Sequence, residues 1–304
     1  VREPDPAFPL VTVVVPSYRH APYVESCIRS IASQDYPSLQ LVVVDDGSDD
    51  ESPAIVRRLG EELGFEAVLA PHRGVVPTVQ DLLSRARGVY YVSMGSDDIM
   101  PPGRLALQVA HLEAHPGVVA CTGQALELHD DGSLQPMPQY RSGVPQVSFE
   151  DLFLGRKEVH TVSMMWRLDP FRAVGGYDSA HTIEDFPLWL KLSRTYGPIH
   201  VLPDVLTHYR VHGANLSLQI GKIFPQALAS LEAHRDHPLH AKAVATWKAA
   251  WFSQLCQTDR LEAVQRLPEL ATFDPAFLAR LAKLLIPRPL QRLWLNLAKG
   301  RATR

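Results

Sequence analysis

Two kinds of apolar pattern alternate along the first 130 residues. Short unbroken runs of aliphatic and β-branched residues are followed by segments in which apolar positions recur every three or four residues. Leu10-Val11-Thr12-Val13-Val14-Val15 reads as a strand stopped by Pro16, and Tyr23, Val24, Cys27, Ile28 and Ile31 then mark a helix. Leu41-Val42-Val43-Val44 is a second strand, and Ser52-Pro53 opens a helix running through Ile55, Val56 and Leu59. A third strand is expected at Phe65 to Leu69, a helix from Thr78 to Ala86, and a fourth strand at Val89 to Ser93. After Pro101-Pro102-Gly103 come a helix with Leu105, Leu107, Val109 and Leu112, and a strand at Val118 to Cys121. Unbroken apolar strands separated by amphipathic helices imply an α/β fold, with a mostly parallel central sheet covered by helices on both faces.

Beyond this point the pattern is less regular. Ala125 to His129 and the residues after Asp131-Gly132 read as a hairpin, because Asp-Gly between extended stretches is a strong turn signal. The Pro-, Ser- and Gly-rich residues 135–146 read as a mobile connection. Order resumes from Phe149, through Met164-Met165-Trp166 and a Gly175-Gly176-Tyr177 turn, to a helix containing Phe186, Leu188, Trp189 and Leu192. Past Ser217 the pattern is wholly helical.

Two acidic clusters, Asp45-Asp46-Gly47-Ser48 and Ser96-Asp97-Asp98, follow directly on the second and fourth strands. Acids there face the ligand crevice of an open α/β sheet, and paired hard oxygen ligands suit Mg²⁺ or Mn²⁺ holding a diphosphate. Taken alone, Asp-Asp-Gly-Ser is equally a helix-capping turn. Composition narrows the field further. The chain has 304 residues, 46% of them hydrophobic, which suffices for a full core, and a net charge of -3 gives no field for nucleic acid. Cys27, Cys121 and Cys256 lie far apart and form no CxxC pair, which argues against a disulfide framework or a structural zinc site. With no apolar stretch of membrane-spanning length and an acidic, Pro-rich start, the expected location is the cytoplasm.

In chain order, Val14-Val15-Pro16-Ser17-Tyr18, Val44-Asp45-Asp46-Gly47-Ser48, Ser96-Asp97-Asp98, Gly175-Gly176-Tyr177-Asp178, Glu184-Asp185 and His208-Tyr209-Arg210-Val211-His212 resemble the motif series of family 2 glycosyltransferases of GT-A fold. The resemblance covers about residues 10–217. It implies a catalytic domain over residues 1–217, with a nucleotide-binding half at about 10–121 and an acceptor half at about 122–217, followed by a helical region at 218–304. It also implies a nucleotide-sugar donor, UDP-linked most often, a Mn²⁺ or Mg²⁺ cofactor, and inverting transfer to a glycan or lipid-linked acceptor in surface polysaccharide or glycolipid synthesis.

Roles follow by position. Pro16, Ser17 and Tyr18 fall at the nucleotide, where a flat ring can stack on a base. Asp46, with Asp45 beside it, takes the place of the base-reading carboxylate, and Arg73 that of a base or phosphate contact. Asp98 stands as metal ligand, with Asp97 on the ribose or behind the ligand. Many relatives carry an acid where Gly95 stands here, so the direct ligand is open between the two. His212 matches the histidine that reaches the metal or diphosphate, and His208 and Arg210 flank it as phosphate or acceptor contacts. Asp185 takes the role of general base on the acceptor hydroxyl, with Glu184 and Trp189 as contacts.

The last 25 residues carry Arg280, Lys283, Arg288, Arg292, Lys299, Arg301 and Arg304 without an acid, and Leu290, Leu293, Trp294 and Leu297 share one helical face. Such a stripe fits peripheral contact with the inner face of an anionic membrane through residues 280–304, packing onto the catalytic domain, or a homo-oligomer contact. Two other readings of the whole chain remain. One is a non-catalytic nucleotide-sugar or glycan-binding module, against which Asp97, Asp98 and Asp185 together weigh. The other is a sugar nucleotidyltransferase, for which a Gly-rich phosphate loop followed by a basic residue is lacking after the first strand.

Overall fold

A computed structural model describes residues 3–137, 146–157, 159, 161–178, 185–213, 223–281 and 284. The chain divides into two compact units, Val1–Leu152 with Lys157–Leu218, and Phe153–Arg156 with Gln219–Arg304. The basic, Trp294-bearing stripe and Glu184 lie outside the described residues.

The first unit opens with β1 (Val11–Ser17), α1 (Val24–Ala32), β2 (Leu39–Asp46), α2 (Ser52–Leu63), β3 (Glu66–Ala70), α3 (Val75–Arg85), β4 (Tyr90–Ser93) and α4 (Arg104–Ala114). It continues through β5 (Ala120–Leu128), β6 (Leu134–Pro136), β7 (Gln146–Val147), α5 (Phe149–Phe153), β8 (Met165–Arg167), α6 (Leu168–Ala173), α7 (Asp185–Tyr196) and β9 (Ile199–Arg210). These strands form one sheet in the order β3-β2-β1-β4-β8-β5-β9-β7, with β6 on β5. The pairs β1/β2, β2/β3, β1/β4 and β5/β9 are parallel, and β8 runs antiparallel between β4 and β5, joining the two parallel groups.

Both faces of the central strands are covered, which is why their sequences are apolar without a break. Val11, Val13 and Val15 of β1 and Leu41 and Val43 of β2 pack in one core with Val24, Cys27, Ile28 and Ile31 of α1 and Val56 and Leu59 of α2. On α3, packed against β1 and β2, Val79, Leu82 and Leu83 are buried. Each such aliphatic side chain contributes about 1.5–3 kcal/mol by leaving water. At the amino end of β1 and β2 a buried polar cluster closes on itself. Thr12 Oγ1–H donates to Gln40 Oε1 (2.7 Å), the Arg87 and Gly88 amides donate to Gln40 Oε1 and Thr12 Oγ1 (both 2.8 Å), and Gln40 Nε2 donates to Arg85 O (3.0 Å).

Several elements depart from the sequence pattern, each for a physical reason. Pro16 does not stop β1, because the β4 ladder ends at Val14↔Ser93 and the β2 ladder continues to Ser17↔Asp45. Helix α3 starts at Val75 rather than Thr78, since Pro77 fits a first helical turn. Strand β5 runs unbroken through Thr122-Gly123-Gln124, where bulges re-register it on β9. Gly123 there leaves room for the Leu206 side chain and the Asp204 carbonyl. Strand β9 itself was not legible, because Pro203 and Asp204 interrupt its apolar alternation. The expected connection begins and ends as the edge strands β6 and β7, and residues 138–145 between them lie outside the described set.

The second unit holds α8 (Ile223–Glu232), α9 (His240–Thr258), α10 (Arg260–Gln265), α11 (Leu267–Leu270) and α12 (Pro275–Leu281). Ala249, Phe252, Leu255 and Cys256 of α9 share a core with Ala263, Leu270 and Phe277. Phe153 belongs here, accepting a hydrogen bond on its carbonyl from Trp247 Nε1 (3.0 Å). Among the described residues no helix is long and apolar enough to cross a membrane.

The turn after β2 depends on Gly47, whose φ is 73° and whose missing Cβ leaves room for the backbone nitrogen of His72. A Gly47→Ala variant is expected to lose at least about 1–2 kcal/mol through the left-handed backbone alone. Chemical denaturation, read as a lower midpoint at unchanged slope, checks this.

Candidate active site

The chain runs from β1 outward to β2 and β3, then returns to place β4 on the other side of β1. This reversal opens a crevice at the carboxyl ends of β1 and β4, the place where open α/β sheets bind ligands. A cleft of about 770 Å³ lies there, and Pro16, Ser17, Tyr18, Asp46, Asp97, Asp98, Asp185, Trp189 and His212 all line it. Asp45, Arg73, His208 and Arg210 do not.

At one end, Tyr18 stacks on His72, with ring centroids 4.3 Å apart. Beside them the buried Asp46 carboxylate accepts the backbone N–H groups of Arg73 (2.9 Å) and Gly74 (2.8 Å), fixing the loop that begins α3. His72 Nδ1 also lies 3.0 Å from Oδ2, so the lone-pair direction left over is on Oδ1. Asp45 turns the other way. Its carboxylate accepts Ser48 N (2.9 Å) and Ser48 Oγ (2.8 Å), closing the turn, so it serves as the local cap that Asp-Asp-Gly-Ser offers when taken alone. Arg73 also points off the cleft, where Asp81 neutralises it at 3.0 Å. His72, the residue before it, takes the place against Tyr18 in the cleft instead.

The second acidic cluster forms a tight turn, with Asp98 N donating to Gly95 O (3.2 Å). A Cβ on Gly95 would come within 2.7 Å of Asp97 Oδ1 and 3.2 Å of Asp98 Oδ2. Glycine therefore fits at this position because both following carboxylates fold back over it. Asp98 is 2% exposed, and its Oδ1 accepts the Arg210 amide (3.0 Å). Burial first, and then the adjacent Asp97 charge, raise its pKa well above the ordinary carboxylate value. Arg210 Nε donates to the Asp97 carbonyl (2.9 Å) and its guanidinium lies over Tyr23. Arg210 thus braces the turn from behind rather than facing the cleft.

Beneath the turn, fully buried Arg104 bonds Thr207 Oγ1 (2.8 Å), Leu206 O (3.2 Å) and Gln108 Oε1 (3.0 Å). Burial lowers its pKa to about 10, against the opposing field of Asp98.

His212 Nε2 lies 2.9 Å from Asp97 Oδ2, its ring stacked on Tyr23. His20 Nδ1 is 2.7 Å from Ser96 Oγ. One ligand atom each from His20, Asp97 and His212 fall within 4.8 Å of one another, so the described residues group Asp97, rather than Asp98, with the imidazoles. Two imidazoles with a carboxylate are a donor set that could hold a divalent transition ion. Asp98 is diverted by its bond to Arg210. His208 is held by a two-way backbone bridge to Ile99 (3.0 Å each way), which keeps it off the cleft.

Asp185, also lining the cleft, opens α7, where the helix dipole favours a carboxylate. Ser17 Oγ and Trp189 Nε1 are buried cleft groups without a hydrogen-bond partner among the described residues.

The sequence profile of Glycosyl transferase family 2 matches residues 12–167, just over half of the chain. The chain belongs to this family. Among its relatives, the amylovoran biosynthesis glycosyltransferase AmsE of Erwinia amylovora is 27% identical over 62% of this chain and 70% of its own length. An uncharacterized glycosyltransferase of Rickettsia prowazekii is 23% identical over 75% and 70%. The chain spans only 35% of a Rickettsia conorii relative. In fold it is similar to S. aureus TarS 1-349 in complex with UDP-GlcNAc (TM-score 0.63, 16% identity, 90% of this chain and 80% of that one). It is also similar to the mannosyltransferase PcManGT of Pyrobaculum calidifontis in complex with GDP-Man and Mn²⁺ (TM-score 0.59, 23% identity, 96% and 90%). The fold is of the GT-A type.

His20, Tyr23, His72 and Arg104 were not singled out from the sequence. His72 directly precedes the expected contact Arg73, but nothing in the spacing of His20 or Arg104 marks them, because both act across long stretches of chain.

The raised pKa of Asp98 means that, above the ordinary carboxylate pKa, the folded state holds a proton the unfolded state has released. Stability therefore falls as pH rises through that window. Asp98→Asn keeps an oxygen for the Arg210 amide and removes the burden. The metal-free variant should melt higher than wild type near neutral pH, by about 2–4 °C for each kcal/mol recovered. Thermal melts of both proteins across a pH series check the direction and its disappearance in acid.

Proposed function

We propose that this protein transfers a hexosyl or N-acetylhexosaminyl group from a nucleoside diphosphate sugar, UDP-linked by preference, to a hydroxyl of a glycan or lipid-linked acceptor. The product belongs to surface polysaccharide or glycolipid synthesis. The observation that carries this reading is that Asp97 and Asp98 line the same cleft as Asp185, which comes from a different and distant part of the chain. Tyr18, His72 and Asp46 at one end offer stacking and hydrogen-bond acceptance to a nucleobase. Support for the acceptor class comes from AmsE, named for amylovoran biosynthesis.

Asp97, His20 and His212 are the residues that would hold a divalent ion, with Asp98 behind them. Such an ion supplies neutralisation of the charge that builds on the departing diphosphate. Asp185 accepts the proton of the acceptor hydroxyl as that oxygen attacks the anomeric carbon, so a single displacement inverts the centre. Trp189 Nε1–H and Ser17 Oγ provide spare hydrogen-bonding groups for donor or acceptor hydroxyls. Arg210 and Arg104 keep the acidic turn in place without touching substrate.

Asp185→Asn is expected to cut turnover by about 10²–10⁴-fold while leaving donor binding intact. The paired measurements are sugar transfer and the Mn²⁺-dependent rise in melting temperature across a panel of UDP- and GDP-sugars, which reports binding by mass action. Transfer near the wild-type rate would remove Asp185 from the role of base, and no stabilisation by any nucleotide sugar would overturn the reading. His212→Ala should abolish the Mn²⁺ dependence of that stabilisation, a loss that calorimetric titration of Mn²⁺ with UDP would register directly.

A further inference from the structure

Away from the cleft, three histidines from two elements meet. His111 lies in the last turn of α4, His115 caps its end, and His200 lies near the start of β9, paired with Cys121 of β5. His111 Nε2 is 2.9 Å from His200 Nδ1, the His111 and His115 rings stack at 4.3 Å, and one ring nitrogen from each residue falls within 4.8 Å of the other two. None of the three lines the catalytic cleft.

We propose that His111, His115 and His200 form a second metal site, for a borderline transition ion of the Zn²⁺ class, on the surface at the C-terminal end of α4. Tetrahedral zinc with bonds of about 2.0–2.1 Å needs its nitrogens roughly 3.4 Å apart, so the three rings, whose nitrogens now lie within 4.8 Å of one another, would draw together on binding. His115 Nδ1 is 2.8 Å from the His111 carbonyl. A carbonyl only accepts, so Nδ1 carries the proton and Nε2 keeps its lone pair for a metal. This is the backbone bond that orients ligating histidines.

The i, i+4 spacing of His111 and His115 puts both on one face of the helix, and the helix C-terminus favours a cation. Binding exchanges the proton shared between His111 and His200 for the metal. That proton moves to the other nitrogen of its ring or to solvent, three Zn–N bonds form, and the exposed side of His115 leaves the fourth position to water.

The site would clip the end of α4 to the start of β9. Calorimetric titration of Zn²⁺ into the full chain, with Co²⁺ absorption as a second readout, tests it. Wild type should bind one more Zn²⁺ per chain than His115→Ala/His200→Ala, whose Mn²⁺- and UDP-dependent stabilisation should be unchanged and so reports correct folding. His212→Ala, which touches only the cleft, should keep the extra Zn²⁺, and the mild His115→Gln should weaken it by at least about tenfold. Equal stoichiometry in wild type and the double variant, or absence of a tetrahedral Co²⁺ spectrum in wild type, would overturn the proposal.

Discussion

Two adjacent carboxylates buried at the end of one strand repel each other, and the rest of the first unit is organised around making that tolerable. Asp97 and Asp98 sit in a turn whose backbone is closed at Gly95, and compensation reaches them from far along the chain. The Arg210 amide and guanidinium, the His212 ring and the buried Arg104 all lie around the turn. Arg210 and His212 arrive only because β9 lies parallel to β5 and ends beside the turn. Such an arrangement carries an electrostatic cost that a bound cation would relieve.

The same logic explains how division of labour arises between neighbouring residues of one type. Asp45 and Asp46 point to opposite sides of β2, because successive strand residues alternate faces. Asp45 spends both oxygens on Ser48 and makes the turn, whereas Asp46 anchors the start of α3 and still faces the cleft. Asp97 and Asp98 divide similarly: one meets the histidines, and the other is held from behind by Arg210.

Legibility in the sequence followed locality. Strands β1, β2 and β4, the helices between them and the two acidic clusters could be read, because each is written in a contiguous apolar or polar run. The cleft residues Tyr18, Asp46, Asp97, Asp98, Asp185 and His212 could be named through an ordered motif series, which is itself a record of shared geometry. What escaped depends on distant pairing. Strand β9 hides behind Pro203 and a register shift, and His20 gains meaning only when Ser96, 76 residues away, lies against it. Arg73 offers its charge, but Asp81, 8 residues on, claims it, and the less conspicuous His72 faces Tyr18.

The buried cluster of Thr12, Gln40, Arg87 and Gly88 gives the sheet a polarity of its own. At the strands' amino ends, hydroxyl, amide side chain and backbone saturate one another and present a sealed floor. At their carboxyl ends Ser17 Oγ and Trp189 Nε1 are left wanting. The two ends of the same strands therefore differ in hydrogen-bonding capacity: one is satisfied within the fold, and the other lines the cleft with a hydroxyl and an indole N–H left open.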